Sequence, residues 1–149
     1  MKIIALSGSN SCGKTTSLNL VYKMIIDVGG ISTNRKQEGG DKRDFSDIVS
    51  FNGLKVAFFT MGDSANHALN AIKNYNAQEA DILIIANNIK FVKPIQAILK
   101  YENTIVPKNV ANPVTEENNL TANISDANII FGLFLILKNE CNKIGADPI

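Results

Sequence analysis

Apolar residues in this chain follow two spacings. Short unbroken runs suit strands buried on both faces of a sheet, and repeats at three and four residues suit helices with one buried stripe. Lys2 to Leu6 is a run of the first kind, closed by Ser7-Gly8. Leu18, Val21, Tyr22, Ile25 and Ile26 then recur at helical spacing until Gly29-Gly30 stops the helix. The polar stretch Ser32 to Asp44, with Gly39-Gly40, predicts a mobile loop. Beyond it, Asp47 to Phe51 and Lys55 to Thr60 flank Asn52-Gly53, a dipeptide that tolerates positive φ at both centres of a tight turn, so these runs predict an antiparallel hairpin.

Met61-Gly62-Asp63-Ser64 ends the second hairpin strand, and a helix carrying Ala65, Leu69 and Ile72 is expected to about Tyr75. Asp81 to Ala86 is a further buried strand, closed by Asn87-Asn88; Lys93 to Tyr101 predicts a short helix with Pro94 in its first turn, and Asn103 to Val106 another strand. Lys108 to Asn123, rich in Asn and containing Pro113, predicts a loop. A last helix is expected from a cap at Ser125-Asp126 to about Cys141. Its run Ile129 to Leu137 is apolar on every side, which fits either a helix packed under the Lys108 to Asn123 loop or one face given to a homodimer. Strand and helix alternate. The expected fold class is therefore α/β, a three-layer domain with a mainly parallel sheet and one antiparallel strand from the hairpin.

Composition narrows the function classes. The 149 residues fit a single domain over 1–149, and 45% hydrophobic residues with 19% charged ones suffice for a packed core. A formal charge of +1 gives no broad field for nucleic acid or an anionic membrane, so an anion would need a local site. Two cysteines far apart, Cys12 and Cys141, make no disulfide framework, and Ile129 to Leu137 falls short of the ~20 apolar residues of a membrane span. The expectation is a soluble cytoplasmic protein without a secretory leader.

The local site is legible. Gly8-Ser9-Asn10-Ser11-Cys12-Gly13-Lys14-Thr15 fits G-x-x-x-x-G-K-[ST] between a predicted strand and a predicted helix. Glycines let the backbone wrap a phosphate, so that successive N–H groups and the helix N-terminus face the anion. Lys14 would reach the terminal phosphates, Thr15 would offer its hydroxyl to Mg²⁺, and Thr16 continues the cradle. With its α/β rhythm, the chain resembles the P-loop NTPase superfamily. The resemblance implies a bound nucleotide, ATP or another NTP, with Mg²⁺, and a metal-side acid after a buried strand. Asp63 is the candidate for that acid, beside an ordinary role in the first turn of the next helix.

Three activities stay open. A kinase for a small molecule or nucleotide would need basic groups on the transferred phosphoryl group; Arg35 and Arg43, the only arginines, lie in a loop that could close over the site, with Lys42, Lys90 and Lys93 as supplements. The order of loop, helix, hairpin and Met61-Gly62-Asp63 is similar to that of Ras-like GTPases, but Phe59 stands where their acid falls. Asn87-Asn88-Ile89-Lys90 also lacks the carboxylate that reads guanine. A third reading is an ATP sensor, whose Ser32 to Asp44 loop is ordered by nucleotide and read by a protein partner. His67, one helical turn beyond Asp63, is a further candidate for the same site, and Cys12 is either a reactive thiol or a small filler of the loop.

Overall fold

In a computed structural model, described here for residues 1–145, the chain is an α/β protein built on a mixed, mostly parallel sheet; 146–149 of the expected domain lie outside the described residues. The elements in order are β1 (Lys2–Gly8), α1 (Lys14–Asp27), β2 (Ile31–Ser32), β3 (Lys36–Gln37), β4 (Phe45–Phe51), β5 (Leu54–Phe59), α2 (Ala65–Ala77), β6 (Ile82–Asn88), α3 (Val92–Ile98), β7 (Glu102–Pro107) and α4 (Glu116–Gly145). Strands lie side by side as β2-β4-β5-β6-β1-β7, with β3 also on β4. β1 lies one strand in from the β7 edge, parallel to β6 from Lys2 opposite Ile82 to Gly8 opposite Asn88, and parallel to β7 on its other side. The Asn52-Gly53 hairpin forms as expected, and β4 alone runs against the other strands, because β2 and β3 both pair antiparallel with it.

Continuous apolar runs in β1, β5 and β6 follow from burial on both faces. Ile4 and Leu6 enter one cluster with Leu18, Val21 and Ile25 of α1 and Ile130 and Phe134 of α4; Ile3 and Ala5 point the other way, to Ala68, Ile72 and Tyr75 of α2 and Ile98 of α3. Helices thus cover both sheet faces, an arrangement compatible with a three-layer α/β fold. In α2 the buried face is Ala68, Ala71, Ile72 and Tyr75, one step around from Leu69. The parallel order brings the carboxyl ends of β1, β5 and β6 to one edge, where loops collect.

Two expectations are corrected. Ser32 to Asp44 contains pinned edge strands. Asp47, buried on β4, accepts hydrogen bonds from Tyr22 Oη (2.7 Å), Ser32 Oγ (2.6 Å) and the Asn34 amide (2.9 Å), and this carboxylate fixes a segment whose polarity alone reads as a free loop. The second correction concerns Lys108 to Asn123, whose latter half is helix. α4 starts at Glu116, with Thr115 Oγ1 accepting from the Asn118 amide (3.0 Å) and Glu116 and Glu117 in the first turn, where carboxylates favour the helix dipole. Asn is a weak helix former, but Ala122 and Ala127 are buried here and packing outweighs propensity. Ser125-Asp126 is therefore mid-helix.

The early start also changes what α4 covers. It packs on α1 and β1, and the stretch expected to lie over it is partly its own first turns. Leu120, Ile124, Ile129 and Ile136 remain exposed. By length and composition alone, Glu116–Cys141, with mean hydropathy 1.7 in its most apolar window, is apolar enough to cross a membrane, which the shorter run Ile129 to Leu137 does not reveal. Core helices of soluble proteins pass the same test.

Candidate functional site

The Gly8 to Thr15 loop joins the end of β1 to the start of α1, at the edge where the carboxyl ends of β5 and β6 also emerge. Its backbone is turned inward by Ser11 (φ 57°) and Gly13 (φ 97°). Glycine at position 13 answers two demands, since a Cβ there would stand 2.5 Å from Asn123 Oδ1 as well as in a left-handed conformation. Gly8 is crowded in the same way by Cys12 Sγ and Lys108 Cβ. Among the described residues, no protein acceptor takes the amide hydrogens of Ser9 through Thr16, and the start of α1 has no side-chain cap. Free amides at a helix N-terminus make a positively polarised end that an anion could satisfy.

Lys14 lies inside this loop. It is 8% exposed, and its Nζ donates to the carbonyls of Gly8 (3.0 Å) and Ser9 (2.5 Å) and lies 3.7 Å from Cys12 Sγ. Among the described residues no carboxylate pairs with it. A buried ammonium held only by carbonyls is incompletely compensated, because burial removes water without supplying a counter-charge.

The opposite charge stands close by. Asp44, just before β4, is 9% exposed, and its Oδ1 accepts from Thr15 Oγ1 (2.9 Å) and Thr60 Oγ1 (3.0 Å). Thr60 Oγ1 in turn accepts from the Phe45 amide at 2.9 Å, which locks that hydroxyl's orientation. Burial pushes the Asp44 carboxyl above the usual carboxylate range; the two hydroxyl bonds pull it down, and the nearby charges of Asp41 and Asp63 add to the rise. Thr15 spends its proton on Asp44, so its oxygen keeps lone pairs for a cation. The donor set of one hydroxyl and nearby carboxylates suits a hard cation such as Mg²⁺. No group of three His, Cys, Asp or Glu among the described residues could hold a metal by itself, and an ion here would need further oxygens from water or a ligand.

These groups open on a cavity of about 430 Å³, whose wall runs from Asn10 to Thr16 and is completed by Asp41, Arg43, Asp44, Thr60, Gly62 and Asp63. Asp63 is present and exposed, before the Ser64 cap of α2. It reaches the loop across β6, which separates β5 from β1. Arg43 is present too, in a two-point contact with Asp41 (3.2 and 2.9 Å) that holds the Asp41 carboxyl below its ordinary range.

Other candidates lie elsewhere. Arg35 stacks over the rings of Phe45 (3.9 Å) and Tyr22 (4.7 Å), so the expected pair of arginines is reduced to one. His67 faces a different groove, of about 200 Å³, beside Asn34, Lys36 and Tyr75, because α2 turns its 67–71–74–78 stripe toward the edge strand. Lys90 lies over Phe91, and neither it nor Lys93 or Lys42 lines the cavity. Cys12 fills the loop against Gly8. Sequence reasoning missed Asp44 and Thr60, whose only signal is their position at the two open ends of adjacent hairpin strands.

No family model, curated protein or solved structure matches the chain.

Proposed function

We propose that this chain binds a nucleoside triphosphate, ATP, together with Mg²⁺ in the Gly8 to Thr15 loop, in the manner of the P-loop NTPases that the loop resembles, and hydrolyses or transfers its terminal phosphoryl group. One observation carries the reading: a buried Lys14 ammonium without a carboxylate partner, inside a ring of free amides. Polyphosphate would supply the missing negative charge and the missing acceptors together. Mg²⁺ would neutralise phosphate charge beside Thr15, with Asp44 and Asp63 on its far side holding its water. Lys14 would draw charge from the β- and γ-phosphates, and Arg43 would act on the transferred group once released from Asp41.

A second reading is a nucleotide-dependent switch, GTPase-like or ATP-sensing, that acts on a protein partner. Its support is that Asp41, Arg43 and Asp44 line the cavity while the same segment continues from edge strand β3, so a ligand in the cavity touches what a partner would read. A cytoplasmic location belongs to either reading and is supported by the free thiols of Cys12 and Cys141. The phosphoryl acceptor, for a kinase, would be a small molecule or nucleotide.

Calorimetry on Lys14→Ala tests the proposal. Affinity for MgATP should fall by roughly a hundredfold or more, the scale of losing one charge-assisted contact at a buried site, while the melting temperature holds or rises. Wild-type affinity in that variant would sink the proposal. Incubation with γ-labelled ATP then separates the activities: labelled acceptor means transfer, free phosphate means hydrolysis, and neither means a switch.

A further inference from the structure

A second cavity, of about 280 Å³, lies behind the loop and shares the wall Ser11, Cys12, Gly13 and Thr16 with the first. Its remaining walls come from the segment after β7 and the first turns of α4. Two of them are valines held out toward solvent, Val110 and Val114, 62% and 72% exposed. Large apolar side chains at the mouth of a cavity serve a ligand better than they serve the core. Asn109, Asn119 and Asn123 share the lining with them.

Free charge is missing from this lining. Lys108 Nζ is engaged by Asp126 Oδ2 at 2.8 Å and by the Asn109 carbonyl at 2.7 Å, and the same carboxylate oxygen accepts the Asn109 amide at 2.9 Å. Both side chains of that ion pair are almost fully buried. A further phosphate, a metal ion or a charged peptide would find no counter-charge here. A flat neutral ring with hydrogen-bonding edges would find apolar faces and amide partners.

We infer that this second cavity takes the nucleobase of the bound triphosphate, with adenine preferred over guanine. The inference rests on the proposed nucleotide function, because the shared wall is what makes ring and phosphates one molecule. Adenine offers a donor next to an acceptor, and one carboxamide meets both. On guanine a carboxamide can pair the ring N–H and the adjacent carbonyl oxygen, but it leaves the exocyclic amino group without the second acceptor that a carboxylate would supply. No acid among the described residues lines this cavity, and Asp126, beneath it, is closed off by Lys108. Asn119, exposed at the rim, and Asn123, against Gly13, are the residues placed to read the edge.

The test is calorimetry on the full chain with MgATP, MgGTP and magnesium tripolyphosphate, which has phosphates and no base. ATP should bind roughly tenfold or more tighter than either of the others. Val114→Asp should weaken ATP by a similar factor and leave tripolyphosphate unchanged. Asn119→Asp should narrow or invert the preference for ATP over GTP. Equal binding of ATP and tripolyphosphate, or full ATP affinity in Val114→Asp, overturns the base site while the phosphate loop stands. A wild-type chain that binds none of the three overturns both.

Discussion

Two lysine and aspartate pairs flank the same loop, and they are arranged in opposite ways. Behind it, Lys108 and Asp126 touch at 2.8 Å and are sealed, each 1–2% exposed in its side chain. In front of it, Lys14 and Asp44 are also buried, 8% and 9% exposed, but Lys14 donates to carbonyls and the Cys12 sulfur, and Asp44 accepts only from hydroxyls. A closed pair satisfies itself and supports structure. A separated pair leaves a positive and a negative charge facing one cavity, an arrangement that costs stability until an anion and a cation fill the gap. The difference assigns the first pair to the architecture of the loop and the second to its proposed ligand.

Breaking the closed pair should have the largest effect. Lys108→Ala removes the counter-charge of Asp126 and the stem that presses on Gly8 and Gly13, and should cost about 3–5 kcal/mol in urea unfolding, as for other buried pairs cut on one side. Lys108→Met with Asp126→Leu should recover most of that loss, because no uncompensated charge remains. A Lys108→Ala protein of wild-type stability would show that the two pairs do not differ as argued.

The separated pair should respond in the opposite direction. Asp44→Asn keeps an acceptor for Thr15 and Thr60 but removes the buried charge, so the ligand-free protein should melt higher while the Mg²⁺ requirement for nucleotide binding rises roughly tenfold, about 1.4 kcal/mol. The pH dependence has a definite sign. The folded carboxyl binds its proton more tightly than the ordinary value of 3.8, so above 3.8 the unfolded chain releases a proton that the folded chain still holds. Stability in wild type should therefore decline, relative to Asp44→Asn, as pH rises from 3.8 through the raised folded value, and stay level beyond it. Melting curves of the two proteins between pH 4 and 8, without nucleotide, read that difference; parallel curves would remove Asp44 from the argument.

The sequence made the front of the loop more visible than its back. Gly8, Gly13, Lys14 and Thr15 are neighbours in the chain, and their spacing between an apolar run and a helical stripe is a local property. The hairpin is local too, through Asn52-Gly53. Asp44, Thr60, Lys108 and Asp126 meet the loop only through tertiary structure: the hairpin register sets Asp44 beside Thr60, and parallel pairing of β7 with β1 brings Lys108 under Gly8. Asp126 reads in sequence as part of a helix cap, since a polar run rich in asparagine conceals the ten helical residues before it. Arg35 reads in sequence as a charge for the site, whereas the rings of Phe45 and Tyr22, brought together only by the fold, hold it elsewhere.

Asp63 sharpens the contrast by lying between the two kinds. It lines the same cavity as Asp44, yet it is exposed and accepts no hydrogen bond from a neighbouring side chain among the described residues. Water already screens its charge, so its removal should matter least. Asp63→Asn should leave the melting temperature within error and shift the Mg²⁺ requirement for nucleotide binding by no more than about threefold, an effect that added salt should diminish. The Asp44→Asn shift should survive the same salt, because its carboxylate is shielded from counter-ions. If Asp63→Asn instead abolishes Mg²⁺ dependence and Asp44→Asn does not, exposure is the wrong guide to which acid faces the metal, and the carboxylate nearer the helix α2 takes over the role given to Asp44.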